Sequence, residues 1–132
     1  MLKSPLHITI RNYYMDKDAD KIAEIDFMSM LAYRFNGDYE PENIFCAVDS
    51  DDHIYGVGHI VPDPTWSVIE NNNMPADYVH KLNLDISLNE ELTSPENIQA
   101  DLLICLLKRA KELREKYPEK KSELVITFHL KK

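Results

Sequence analysis

The chain has 132 residues, 44% of them apolar and 29% charged, which is the composition of one ordinary globular domain with a core of its own. A formal charge of −8 argues against nucleic acid as partner, because binding a phosphate backbone needs a basic stripe that releases counterions. No apolar run approaches the roughly 20 residues of a membrane span, and Met1-Leu2-Lys3-Ser4-Pro5 lacks the apolar core of a signal peptide, so a cytoplasmic protein without membrane partners is expected.

Residues 6–13 alternate and contain β-branched side chains, predicting a first strand. Asp16, Asp18 and Asp20 then offer capping oxygens and negative charge to one helix carrying Ile22, Ile25, Met28, Ala32 and Phe35, with Asn36-Gly37 as its stop. After the loop Asp38-Tyr39-Glu40-Pro41-Glu42, the run Ile44-Phe45-Cys46-Ala47-Val48 predicts a short strand buried on both faces. Asp49-Ser50-Asp51-Asp52 is a polar turn, and residues 53–61 return as the second arm of a hairpin.

Pro62, Pro64, Asn71-Asn72-Asn73 and Pro75 mark a long connection over residues 62–77, with Trp66 embedded in it. Residues 78–88 alternate with nearly period 2, predicting a long strand. A helix follows from about residue 95 to Tyr117, with Ile98, Leu102, Leu106, Ala110, Leu113 and Tyr117 on one face and Pro118 as terminator. Thr93 with Glu96 has capping-box spacing, and Pro95 suits the first turn. Residues 108–132 hold nine of the fifteen Lys and Arg and only four of the twenty-three acids, chiefly as the solvated face of this helix. Leu124-Val125-Ile126-Thr127-Phe128-His129-Leu130 is a strongly apolar last strand.

Several chemical motifs fail on spacing. A calcium loop counted from Asp49 needs a glutamate at its twelfth position, which is Ile60. Gly56-Val57-Gly58 opens no helix and lacks a third glycine, so it marks a bulge or a close approach of another group rather than a dinucleotide site. Cys46 and Cys105 sit among apolar residues without metal or redox spacing, and His7, His53, His59, His80 and His129 are scattered singly, so no metal site is expected.

Taken in order, Ile8-Thr9-Ile10-Arg11, residues 18–25, Ile44-Phe45-Cys46-Ala47-Val48-Asp49 and Ile54-Tyr55-Gly56-Val57-Gly58-His59-Ile60 resemble the front half of the GNAT superfamily of N-acetyltransferases. The resemblance extends over nearly the whole chain and rests on order and spacing. It implies an α/β (α+β) fold of acyl-CoA N-acyltransferase type: a three-layer αβα sandwich around a mixed, largely antiparallel sheet. The competing layout is a ferredoxin-like layer, which would make residues 78–88 an excursion.

The resemblance implies acetyl transfer from acetyl-CoA to a small-molecule or peptide amine. Leu84, Asp85 and Ile86 would hold the acetyl and pantetheine amides on a strand that splays from its parallel neighbour, and Asn97, Ile98, Gln99 and Ala100 would follow the pyrophosphate. The family's loop runs Arg/Gln-x-x-Gly-x-Gly/Ala; here Ser94, Asn97 and Gln99 stand at its three defining positions. Glu96 adds a carboxylate where a diphosphate would sit, and at about 5 Å such a pair costs roughly 1 kcal/mol even in water. Weak or absent coenzyme A binding is therefore expected. Glu40, Glu42 and Asp85 are the candidate catalytic acids and bases, and Tyr39 and Trp66 the aromatics to line an acceptor pocket. The family adds a helix and two strands after the strand matching residues 124–130. The chain is accordingly expected to be the N-terminal part of a longer acetyltransferase, or a sheet completed by a homodimer or second domain. A non-catalytic relative kept for binding or pairing is the alternative function.

Overall fold

A computed structural model of the chain describes residues 7–62, 79–92, 95–116 and 121–128. Trp66, Thr93 and Ser94, and so the capping box and most of the connection at 62–77, lie outside the described residues. The elements are β1 (Thr9–Asn12), α1 (Met15–Ile25), α2 (Phe27–Phe35), β2 (Ile44–Val48), β3 (Ile54–Pro62), β4 (Val79–Leu88), α3 (Glu96–Glu115) and β5 (Lys121–Phe128). The sheet runs in sequence order, β1-β2-β3-β4-β5. Its first three pairings are antiparallel, and β4 pairs β5 in parallel. A parallel neighbour needs a crossover, which α3 supplies.

The helices lie on opposite faces. Ile98, Leu102, Leu106, Ala110 and Leu113 of α3 pack on Ile60, Leu82, Leu84 and Ile86. On the other face Ala19 and Ile22 of α1 and Met30 and Tyr33 of α2 cover Ile44, Cys46, Val48 and Val57. The mixed three-layer sandwich expected from the sequence is thus the fold, with β2 buried on both faces.

Glycine lets α3 sit close. A Cβ at Gly58 would lie 2.7 Å from Leu106 Cδ1 and 3.2 Å from the carbonyl oxygen of Asp85, and one at Gly56 would lie 2.7 Å from Leu88 Cδ2. The pair marks the close approach that the sequence suggested, here of a helix.

The single helix expected over residues 16–35 is two. Asp26 adopts extended backbone angles (φ −152°, ψ 98°), its N–H closes α1 on the Ile22 carbonyl, and its carboxylate accepts from Ser29 N to start α2. The break resets the helical phase. Ser29, Met30 and Tyr33 turn inward, while Met28 and Phe35, expected inside, stand outside. α1 also begins differently from expectation. Asp18 reaches back to the Tyr14 N–H at 2.8 Å and forms a two-pronged ion pair with Arg11 at 2.7 and 2.8 Å, tying α1 to β1. Arg11 and the Tyr14 amide hold the Asp18 carboxyl below its usual range, although burial works to raise it.

Candidate functional site

The α1–α2 break creates a cleft. It measures about 590 Å³ and lies between Ile25, Asp26, Phe27, Met28, Ser29 and Ala32 on the helical side and His59, Asp85, Ser87 and Leu88 on the sheet, with Tyr39 at one edge. Strand alternation fixes the sheet side. Leu84 and Ile86 point toward α3, so Asp85 and Ser87 point the other way, and His59 is Asp85's register partner on β3.

Two polar chains cross the cleft floor. Ser87 Oγ donates to Asp26 Oδ2 at 2.7 Å, while Asp26 Oδ1 accepts from Ser29 N at 3.1 Å, so one carboxylate latches the helix break to β4. Beside it, Tyr33 Oη and His59 Nδ1 are 2.7 Å apart, and His59 Nε2 is 3.9 Å from Asp85 Oδ2. Burial pushes the Tyr33 phenol well above its ordinary range, with the Ser29 hydroxyl hydrogen-bonded to it and opposing the shift. Tyr33 therefore keeps its proton. Assigning Nδ1 as the acceptor of that proton leaves the imidazole N–H on Nε2, facing the Asp85 carboxylate. Tyr39 and His59 meet edge to face at 5.0 Å, and Tyr33 and His59 at 5.4 Å, which fixes the imidazole plane.

Of the sequence candidates, Asp85 and Tyr39 come together in this cleft. Glu40 and Glu42 do not join them: Glu40 precedes the turn Pro41–Asn43 and Glu42 lies within it, lining shallower hollows with Asn12. A hydrogen bond to Glu42, with burial and mutual repulsion, raises the Glu40 carboxyl above its usual range. Sequence reasoning missed Tyr33, His59, Ser87 and Asp26 as a group. The available signal was Asp26 three residues before Ser29, a helix-starting pattern that the running apolar periodicity concealed.

The cofactor candidates lie elsewhere. The backbone of Leu84, Asp85 and Ile86 is laddered on one side to Ile60, His59 and Gly58 and on the other to Ile126, Thr127 and Phe128. At the start of α3, Ile98 is buried in the core, whereas Glu96, Asn97 and Ala100 are exposed and Gln99 is half-buried. The turn at residues 95–100 has no glycine. A coenzyme A arm running between β4 and β5 requires their ladder to part, and its diphosphate would meet Glu96, so these residues as they stand do not fit it.

The remaining titratable groups serve the scaffold. Burial pushes the Cys46 thiol up to about 12 and raises Cys105 as well, leaving neither activated. The ligand-capable atoms of Asp49, Asp51 and His53 lie within 4.8 Å of one another. Asp49 already accepts from Asp51 N, His53 N and Tyr55 Oη, which is the work of a hairpin turn. Among the described residues no helix is long and apolar enough to cross a membrane.

No family model and no curated protein matches the chain. Among solved structures it is similar to the crystal structure of a ribosomal-protein-alanine N-acetyltransferase from Brucella melitensis biovar Abortus 2308. Identity is 15%, the match covers 93% of this chain and 81% of that one, and the TM-score is 0.52. With its mixed five-stranded sheet between α3 and the α1–α2 pair, the chain has the acyl-CoA N-acyltransferase fold of the GNAT type.

Proposed function

We propose that the chain is an N-acetyltransferase domain that moves an acetyl group from acetyl-CoA to an amine held in the cleft between the α1–α2 break and β3–β4. The observation that carries this reading is the polar chain Tyr33–His59–Asp85 at the floor of that cleft, on the central strands of an acyltransferase fold. An amine arrives as an ammonium and must lose a proton before its nitrogen can attack an acyl carbon. Asp85 supplies the carboxylate that attracts the ammonium and accepts the proton. His59, steadied by Tyr33, faces that carboxylate with Nε2 3.9 Å from Oδ2. The closed β4–β5 ladder and Glu96 at the start of α3 oppose coenzyme A.

The same two features favour a second reading, in which the fold binds an amine and transfers nothing. Calorimetric titration with acetyl-CoA separates the two. The transferase reading expects millimolar or weaker binding that Glu96→Gln tightens about fivefold, the equivalent of removing roughly 1 kcal/mol of repulsion. No heat of binding in either protein would leave the binding-module reading in its place.

A further inference from the structure

We infer that the outer face of α3 is a self-association surface, on which a second copy of this chain packs its own α3 antiparallel about a twofold axis between Cys105 and Leu106. The surface is apart from the cleft, and its role is independent of the transferase reading.

The inner face of α3 is committed to the sheet through Ile98, Leu102, Leu106, Ala110 and Leu113. On the opposite face Asn97, Ala100, Ile104, Leu107, Lys111 and Arg114 recur at alternating steps of three and four residues, and all six are exposed. That spacing is the seam along which two helices pack. Ile104 is 51% exposed and Leu107 40% exposed, so the middle of the seam carries two large aliphatic side chains where a purely solvated face carries polar ones.

The order of residues about that middle selects the occupant. Antiparallel packing about the helix midpoint sets Ile104 of one copy beside Leu107 of the other, twice, and closes the apolar centre on itself. It also sets Lys111 beside Ala100 and Arg114 beside Asn97. A parallel pair would place Lys111 on Lys111 and Arg114 on Arg114, with like charges along the seam.

The flank carries the same symmetry. Asp101 and Lys108, both exposed, stand one position beyond Ala100 and Leu107. Antiparallel packing brings Asp101 of one copy against Lys108 of the other, and the twofold axis repeats the pair. The face is thus its own complement in shape and charge, as a twofold interface requires. One helix pair buries less than a standard interface, so the dimer is weak and concentration-dependent.

The test is sedimentation equilibrium on the full chain from about 10 to 500 µM, a range that reads weak dimers. A monomer–dimer equilibrium is expected. The double variant Ile104→Ser, Leu107→Ser, at two exposed positions, should weaken it at least about tenfold. Asp101→Lys alone and Lys108→Asp alone should each weaken it about fivefold, because each creates two like-charge contacts across the axis. The two changes together exchange the charges and should restore the parent constant to within about twofold. A chain that stays monomeric throughout that range overturns the inference. A dimer indifferent to the serine variant, or one that the charge exchange weakens further, overturns it as well by putting the interface elsewhere.

Discussion

Tyr33 Oη and His59 Nδ1 meet at 2.7 Å in a buried aromatic cluster, although 26 positions separate them in the chain. The contact joins α2 to β3, and with the Tyr33 hydroxyl as donor the imidazole proton is assigned to Nε2. Tyr33→Phe removes the donor and leaves a buried ring nitrogen without that partner, a loss of about 1–3 kcal/mol in denaturant unfolding. Nitrogen-15 spectra of the imidazole should show one tautomer, with the proton on Nε2, in the parent chain and a mixture in the variant.

Gly58 lies under α3 with Leu106 on one side and the Asp85 carbonyl on the other. Gly58→Ala forces Leu106 to move and crowds backbone on β4, so destabilisation of about 1–3 kcal/mol is expected. Gly37 is a suitable control. Nothing lies within 4 Å of its added Cβ and its φ is not positive, so Gly37→Ala should leave the unfolding midpoint close to that of the parent chain.

Asp18 is fully buried with Arg11 as its partner. Asp18→Ala removes the two-pronged partner of the guanidinium, leaving it only Asp52 at 3.4 Å and the Asn12 carbonyl among the described residues, and should cost about 3 kcal/mol, measured by urea unfolding.

The same carboxylate contributes to acid sensitivity. Its folded pKa lies below the unfolded value near 3.9, so its contribution is complete above that value and disappears as pH falls through the folded pKa. Asp49, brought down to about 2 against burial by His53 N, Tyr55 Oη and Asp51 N, acts with the same sign. Stability should therefore fall between about pH 4 and pH 2, and Asp49→Asn should flatten that fall in unfolding curves recorded across the range.

Asp26 shows where the sequence was legible and where it was not. Apolar runs predicted β2 and β5, the polar turn before residue 53 predicted β3 as a hairpin return, and a simple period predicted β4 and α3. The Asp26 break has no periodic signature: Ile22, Ile25, Met28 and Ala32 continue a helical spacing through it, and only the capping geometry interrupts the helix. Asp85 could be singled out from its strand position. Its neighbour His59 could not, since nothing local to β3 announces a partner on α2. Asp26→Ala removes the cap and the Ser87 latch together, and should cost about 1–2 kcal/mol by thermal or urea unfolding.

Acetyl transfer itself is the most direct test of the cleft as a reaction site. With acetyl-CoA at several millimolar and phenethylamine as acceptor, mass spectrometry should detect the N-acetyl product, and Asp85→Asn should lower its rate at least about a hundredfold. Absence of product, or an equal rate in the variant, would contradict the assignment of Asp85 and its cleft to acetyl transfer.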